Sequence, residues 1–121
     1  MIASLTGTTQ AATGGQVVID VSGVGYLVSV TPGTAQGLRL GERVTLLISM
    51  IVREDAMLLF GFANAEERDF FDSLRGVSGV GPKLALAILS ALLEAHYIEH
   101  LRLQYTRFRA ALATTAGAQR L

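Results

Sequence analysis

Apolar and polar positions alternate through the first half of the chain and then shift to a helical period. Gln16-Val17-Val18-Ile19-Asp20-Val21 is a β-branched run that ends at Gly23. Tyr26, Val28 and Val30 alternate until Pro32-Gly33 breaks the run. Residues 2–8 read as a preceding strand, Arg43–Val52 as a long one and Met57–Phe62 as another. Gly61 inside the last strand signals a bulge or a close approach of another segment. Residues 35–40 read as a short helical turn. Five short strands with one small helical insert predict a small barrel of the oligonucleotide-binding type, with an open antiparallel sheet packed on helices as the alternative. The pattern predicts an α+β chain, with an all-β barrel over residues 1–62 and a helical domain over residues 63–121.

No linker separates the two. Asn64 is a good helix N-cap, and Glu67, three residues on, completes a capping-box pattern. Phe70, Phe71 and Leu74 supply the apolar face of the helix that follows. The stretch 74–89 then carries Gly79-Val80-Gly81-Pro82-Lys83 between two helical runs. Gly79 and Gly81 can take backbone angles that a Cβ resists. Val80 can act as an apolar peg between the helices, beside Leu74, Val77 and Leu89, and Ala85 is small where helices must approach. Pro82 suits a first helical turn, where its missing N–H costs nothing. A helix beginning there presents free N–H groups and the positive end of its dipole, an arrangement that binds an anion, and Lys83 adds a full charge. This is the pattern of a helix–hairpin–helix, which grips a nucleic-acid phosphate without reading sequence. The bland alternative is an ordinary helical hairpin with a glycine turn. Gly23-Val24-Gly25 is a weaker match, since a strand pattern and no lysine follow it.

Two further features carry chemistry. Arg53-Glu54-Asp55-Ala56 joins the two longest strands. Acidic residues are common in solvated turns, but adjacent acids at a hairpin tip also repel a phosphate backbone. His96-Tyr97-Ile98-Glu99-His100 matches His-x-x-Glu-His, with two histidines four apart and Glu99 as a candidate base, the pattern of a zinc hydrolase. A third ligand would have to be Glu94 or a distant acid, so the motif lacks the rest of its geometry. No Ser/His/Asp set, nucleotide phosphate loop or paired-carboxylate site is evident. Leu93, Tyr97, Leu101, Tyr105, Phe108 and Leu112 recur at spacings of four and three, which places them on one helix face. Core or subunit packing is the first use of such a face, and base stacking the second.

Composition narrows the picture. The chain has 121 residues, enough to bury a core but short for two full domains. Half its residues are apolar and the mean hydropathy is +0.45, which points to apolar surface shared with other subunits. The longest apolar runs, residues 44–52 (broken by Thr45 and Ser49) and 84–93, are too short to span a bilayer, so no membrane is expected. No signal peptide is evident and there is no cysteine, which excludes disulfides and thiolate metal sites and makes a cytoplasmic address the default. Net charge is zero, from 10 basic and 10 acidic residues, which argues against a wholly basic nucleic-acid binder but leaves a local phosphate grip open.

Barrel, acidic hairpin tip and helix–hairpin–helix in this order resemble the RuvA family of Holliday-junction-binding proteins. The matching residues are Gly23-Val24-Gly25-Tyr26, the segment 52–62 that contains Arg53-Glu54-Asp55-Ala56, and the segment 79–89 that begins Gly79-Val80-Gly81-Pro82-Lys83. The resemblance covers residues 1 to about 90. It implies a non-enzymatic homotetramer laid on four-way junction DNA, acting in branch migration, recombination and repair without a cofactor. It further implies DNA contacts at Gly79, Val80, Gly81 and Lys83, and an acidic pin at Glu54 and Asp55. The implied partners are the ATP-hydrolysing RuvB motor and the RuvC resolvase. The family's second helix–hairpin–helix is degenerate here. Leu112 and Thr114 stand where its turn glycines belong, and Thr115 and Ala116 replace its lysines. The family's third domain, which recruits RuvB, has no counterpart in this sequence, and that puts RuvB binding in question. The chain reads as a truncated or degenerate relative, or as one with an unrelated tail. A helix–hairpin–helix DNA-binding module without junction preference is the alternative reading of the same residues.

Overall fold

The computed structural model describes the backbone of residues 1–120 and the side chains of residues 1–114. Five strands, β1 (Ser4–Thr13), β2 (Gln16–Val21), β3 (Val24–Ser29), β4 (Arg43–Val52) and β5 (Met57–Phe62), close into a barrel in the order β1-β2-β3-β5-β4. Neighbours are antiparallel except at the seam, where β3 and β5 meet in parallel through one pair, Ser29 with Phe60. Alternate side chains fill the interior: Leu5, Val17, Ile19, Val28, Val30, Leu46 and Ile48 are all buried. The period-two pattern thus gives the barrel its core.

Strand β1 extends five residues past the predicted strand end at Thr8. It pairs with β4 through residues 4–8 and with β2 through residues 8–13, and its register shifts between Thr9 and Ala11. That irregularity lets one strand turn the barrel corner and serve two partners. The glycine at Gly23 sits in a two-residue turn between β2 and β3. Ser22 and Gly23 both have positive φ, 52° and 91°, the requirement of a type I′ hairpin. Gly61 marks a close approach and not a bulge, since the β4–β5 register runs unbroken. A Cβ there would lie 2.6 Å from Val28 Cγ1.

The helical insert α1 spans Pro32–Gly37, earlier than predicted. Pro32-Gly33 starts this helix, although its residue types also suit a strand breaker. Thr31 caps it, its Oγ1 accepting from the Thr34 N–H at 3.2 Å, and Pro32 occupies the first turn.

Helix α2 (Ala65–Arg75) lies on the barrel. Phe71 is fully buried, with its ring centroid 5.1 Å from Phe60 and 4.9 Å from Phe62. Ser49 of β4 donates to Asp72 Oδ1 at 2.8 Å, and Arg75 reaches the same carboxylate at 3.6 Å. Phe70, expected in the core, is 44% exposed. Adjacent residues on a helix point about 100° apart, so only one of the two can face the barrel.

Helix α3 spans Pro82–Arg120. The chain divides into two compact units, Met1–Ser90 and Ala91–Leu121, so the change from strand to helix near residue 62 falls inside the first. Ala85 and Leu89, in the first unit, are buried. Among the described residues, the stretch Pro82–Thr114 is long and apolar enough to cross a bilayer by length and composition, with mean hydropathy 1.3 over its best window. A count of apolar runs does not register this average, because scattered charges interrupt the runs.

Truncation of Phe71 to alanine should remove both ring contacts and leave a cavity. The expected loss is about 3–5 kcal/mol of unfolding free energy, read from urea denaturation of F71A against the parent chain.

Candidate nucleic-acid interface

The turn between α2 and α3 is built from its caps. Asn64 Oδ1 accepts from the Glu67 N–H at 2.9 Å and fixes the start of α2. The reciprocal half of the capping box is not made by Glu67 Oε2, which is buried with no hydrogen-bond partner among the described residues. Glu66 and Glu67 in the first turn and Arg75 in the last complement the helix dipole.

The chain then tightens through three short bonds. Gly76 N–H donates to the Ser73 carbonyl at 3.1 Å, Val77 N–H to Leu74 at 3.1 Å, and Val80 N–H to Val77 at 3.0 Å. Gly79 takes a left-handed conformation, φ 84°, and reverses the chain. Val80 is half-buried, as a peg requires, whereas Val77 is 55% exposed and contributes no core. The first helical bond of α3 runs from the Ala85 N–H to the Gly81 carbonyl at 2.9 Å. The N–H groups of Lys83 and Leu84 therefore precede the helical ladder and are free to meet an external acceptor. Lys83 is exposed, and among the described residues no carboxylate pairs with it. The arrangement can take up an anion at the helix start, with the dipole and the ammonium acting together.

The two glycines differ, contrary to the expectation that both supply special backbone angles. Gly81 lies outside the left-handed region, and nothing stands within 4 Å of where its Cβ would be. Its value is open space in front of the helix start. Sequence spacing does not distinguish these roles.

The acidic tip is a tight hairpin. Arg53 N–H donates to the Ala56 carbonyl at 2.7 Å and closes the turn. Glu54 and Asp55 sit exposed at its apex, and among the described residues neither forms an ion pair. Val52 and Met57, paired across the base of the tip, are 64% and 65% exposed. Sequence reasoning missed this apolar collar. The signal was the strand phase, which puts both residues on the outer face.

The His-x-x-Glu-His motif does not assemble. Among the described residues no group of three or more His, Asp or Glu is placed to hold a metal ion. Glu99 instead pairs with Arg102 at 3.6 Å. The degenerate second hairpin makes no turn where the family's turn would fall, as far as it is described. Helix α3 continues through Leu112 and Thr114, and Thr114 Oγ1 donates to the Ala110 carbonyl at 3.0 Å. The side chains of Thr115, Ala116 and residues 117–121 lie outside the described residues.

A closed five-stranded barrel followed by a capped helix, a left-handed glycine turn and an open helix start defines an oligonucleotide-binding-type domain with a helical region attached. The family model for the RuvA N terminal domain matches residues 1–61, and the chain belongs to that family. Similar relatives carry the name Holliday junction branch migration complex subunit RuvA. That of Leifsonia xyli subsp. xyli is 51% identical over 92 residues, covering 76% of this chain and 44% of the relative. That of Renibacterium salmoninarum is 57% identical over 75 residues, covering 62% and 35%. That of Thermobifida fusca is 50% identical over 90 residues, covering 74% and 45%. The match thus spans less than half the length of each of these relatives.

Alanine at the two turn glycines should separate their roles by stability alone. Gly79→Ala forces a Cβ into a left-handed residue and should cost about 1–2 kcal/mol. Gly81→Ala enters open space and should stay within about 0.5 kcal/mol of the parent. Thermal or urea unfolding of the two variants measures the difference.

Proposed function

We propose that this chain binds four-way junction DNA as a non-catalytic recognition subunit of a branch-migration complex, in recombination and DNA repair. The observation that carries the reading is the open start of α3, where free N–H groups, a left-handed Gly79 and a Lys83 with no ion pair among the described residues converge. The names of the relatives support the choice of junction DNA. In this reading Gly79, Val80, Gly81 and Lys83 form the phosphate grip. Glu54 and Asp55 form an acidic pin that repels phosphates at the junction centre and so favours an open crossover over plain duplex. The assembly is a homotetramer in the cytoplasm. A RuvB-type motor supplies ATP hydrolysis and a RuvC-type resolvase shares the junction. The grip uses backbone dipoles and one ammonium, so it requires no cofactor and predicts no base preference.

Gel shifts with four-way junction, duplex and single strand across a salt series test the reading. Gly81→Val with Lys83→Ala should weaken binding alike at all DNA sequences. The salt slope should fall by about 0.9 for each phosphate that the variant no longer neutralises. Unchanged affinity and slope in a folded variant removes the site. A parent chain that binds junction and duplex equally reduces the function to a general DNA-binding module.

The pin predicts the opposite sign. Glu54→Gln with Asp55→Asn should tighten binding to both junction and duplex and lower the ratio between them. A ratio that stays at the parent value would leave the pair as a solvated turn.

A further inference from the structure

Within the second unit, the face of α3 over residues 98–112 has an apolar seam that the family match over residues 1–61 does not include. Ile98, Leu101, Tyr105, Phe108 and Leu112 follow one another at spacings of three, four, three and four. Each is between 44% and 61% exposed. This is a seam of period 3.5, narrower than the stripe a helix turns toward a globular core. With Ile98, Tyr105 and Leu112 at the a positions, Leu101 and Phe108 take the d positions. Ile at a followed by Leu at d, as at 98 and 101, is the choice that favours two strands.

We propose that residues 98–112 form a parallel two-stranded coiled coil with a second copy of this chain. The flanking charges select both the partner and its direction. The e positions hold Arg102 and Arg109, and the g positions hold Tyr97, Gln104 and Ala111. In a parallel pair g faces e of the partner five residues on, so Tyr97 meets one arginine and Gln104 the other, with no like charges opposed. An antiparallel pair sets Arg102 against Arg109 twice. The cations are also partly committed within their own helix in ways that leave the seam clear. Arg102 pairs with Glu99 at 3.6 Å, and the Arg109 guanidinium lies 6.0 Å from the Tyr105 ring centroid. The cation–π contact occupies one face of that ring and leaves the opposite face for the partner. Just over two heptads is shorter than the roughly three to four that mark a sustained coiled coil, so association is weak. This inference does not depend on the DNA reading.

The chain contains no cysteine, so one introduced thiol reports the geometry of the pair directly. Full-length L112C is oxidised at high micromolar concentration, in parallel with I98C, a mixture of the two, and L103C as an off-seam control. A parallel seam cross-links L112C to itself and I98C to itself, with L103C remaining largely monomeric. An antiparallel seam centred on Tyr105 would hold the two thiols of L112C about 21 Å apart, too far to bridge, and would cross-link only the mixture. That outcome overturns the proposal, as does the absence of cross-links in every sample, or L103C cross-linking as well as L112C. Adding Tyr105→Glu and Phe108→Glu to L112C should abolish the cross-link, and its survival there overturns the seam as its cause. Incubation with vesicles of mixed neutral and anionic phospholipid tests the rival use of an apolar helix. Co-sedimentation with lipid together with loss of the L112C cross-link would assign the face to a membrane. Junction gel shifts on the same variants keep the outcomes separate, since Gly81→Val with Lys83→Ala should leave the cross-link intact.

Discussion

Phe71 holds the first unit together. Its ring sits against Phe60 and Phe62 of β5, and the Ser49–Asp72 hydrogen bond pins the next turn of α2 to β4. These contacts fix the direction in which α2 leaves the barrel, and hence where Gly79 reverses the chain and α3 begins. An anion site made of backbone N–H groups has no long side chain to adjust its reach. Its precision comes from the rigidity of what supports it. The same β4–β5 pair that presents Phe60 and Phe62 also ends in the acidic tip, so one hairpin positions both features of the proposed DNA interface.

A chain of net charge zero can still grip a phosphate, because the positive potential here is local. It comes from helix N–H groups, the dipole behind them and Lys83, within one turn of helix. The balancing acids include Glu66 and Glu67 at the start of α2, where they complement that helix's dipole, and Asp72, which is engaged with Ser49 and Arg75. Glu54 and Asp55 project acid from a hairpin apex and, among the described residues, form no ion pair.

Much of the barrel was legible because burial and strand period coincide: β2, β4 and β5 fall where alternation and β-branched runs place them. The far half of β1 was not, since Ala11 and Ala12 carry little strand preference and their pairing with β2 is imposed by closure. Pro32 misled because proline both ends strands and opens helices, and only Thr31 before it decides between the two. Phe70 and Phe71 could not be ranked in an eleven-residue helix whose faces are defined by few positions. Of the site, the turn and the cap were readable from residue type. The division of labour between Gly79 and Gly81 was not, because it depends on φ, which is left-handed only at Gly79.

The course of α3 bears on how binding is achieved. A second phosphate grip needs a break in the helical ladder, yet Leu112 and Thr114 lie within continuous helix, and the Thr114 hydroxyl bonds back to Ala110. Among the described residues the chain therefore offers one open helix start of this kind, with Gly79 before it. One phosphate contact supplies little affinity and no discrimination between junction and duplex. Under the proposed function, discrimination comes from several grips held at fixed spacing around several acidic tips, so that only DNA with its arms spread engages them together. The proposed function thus depends on assembly more than on any single side chain.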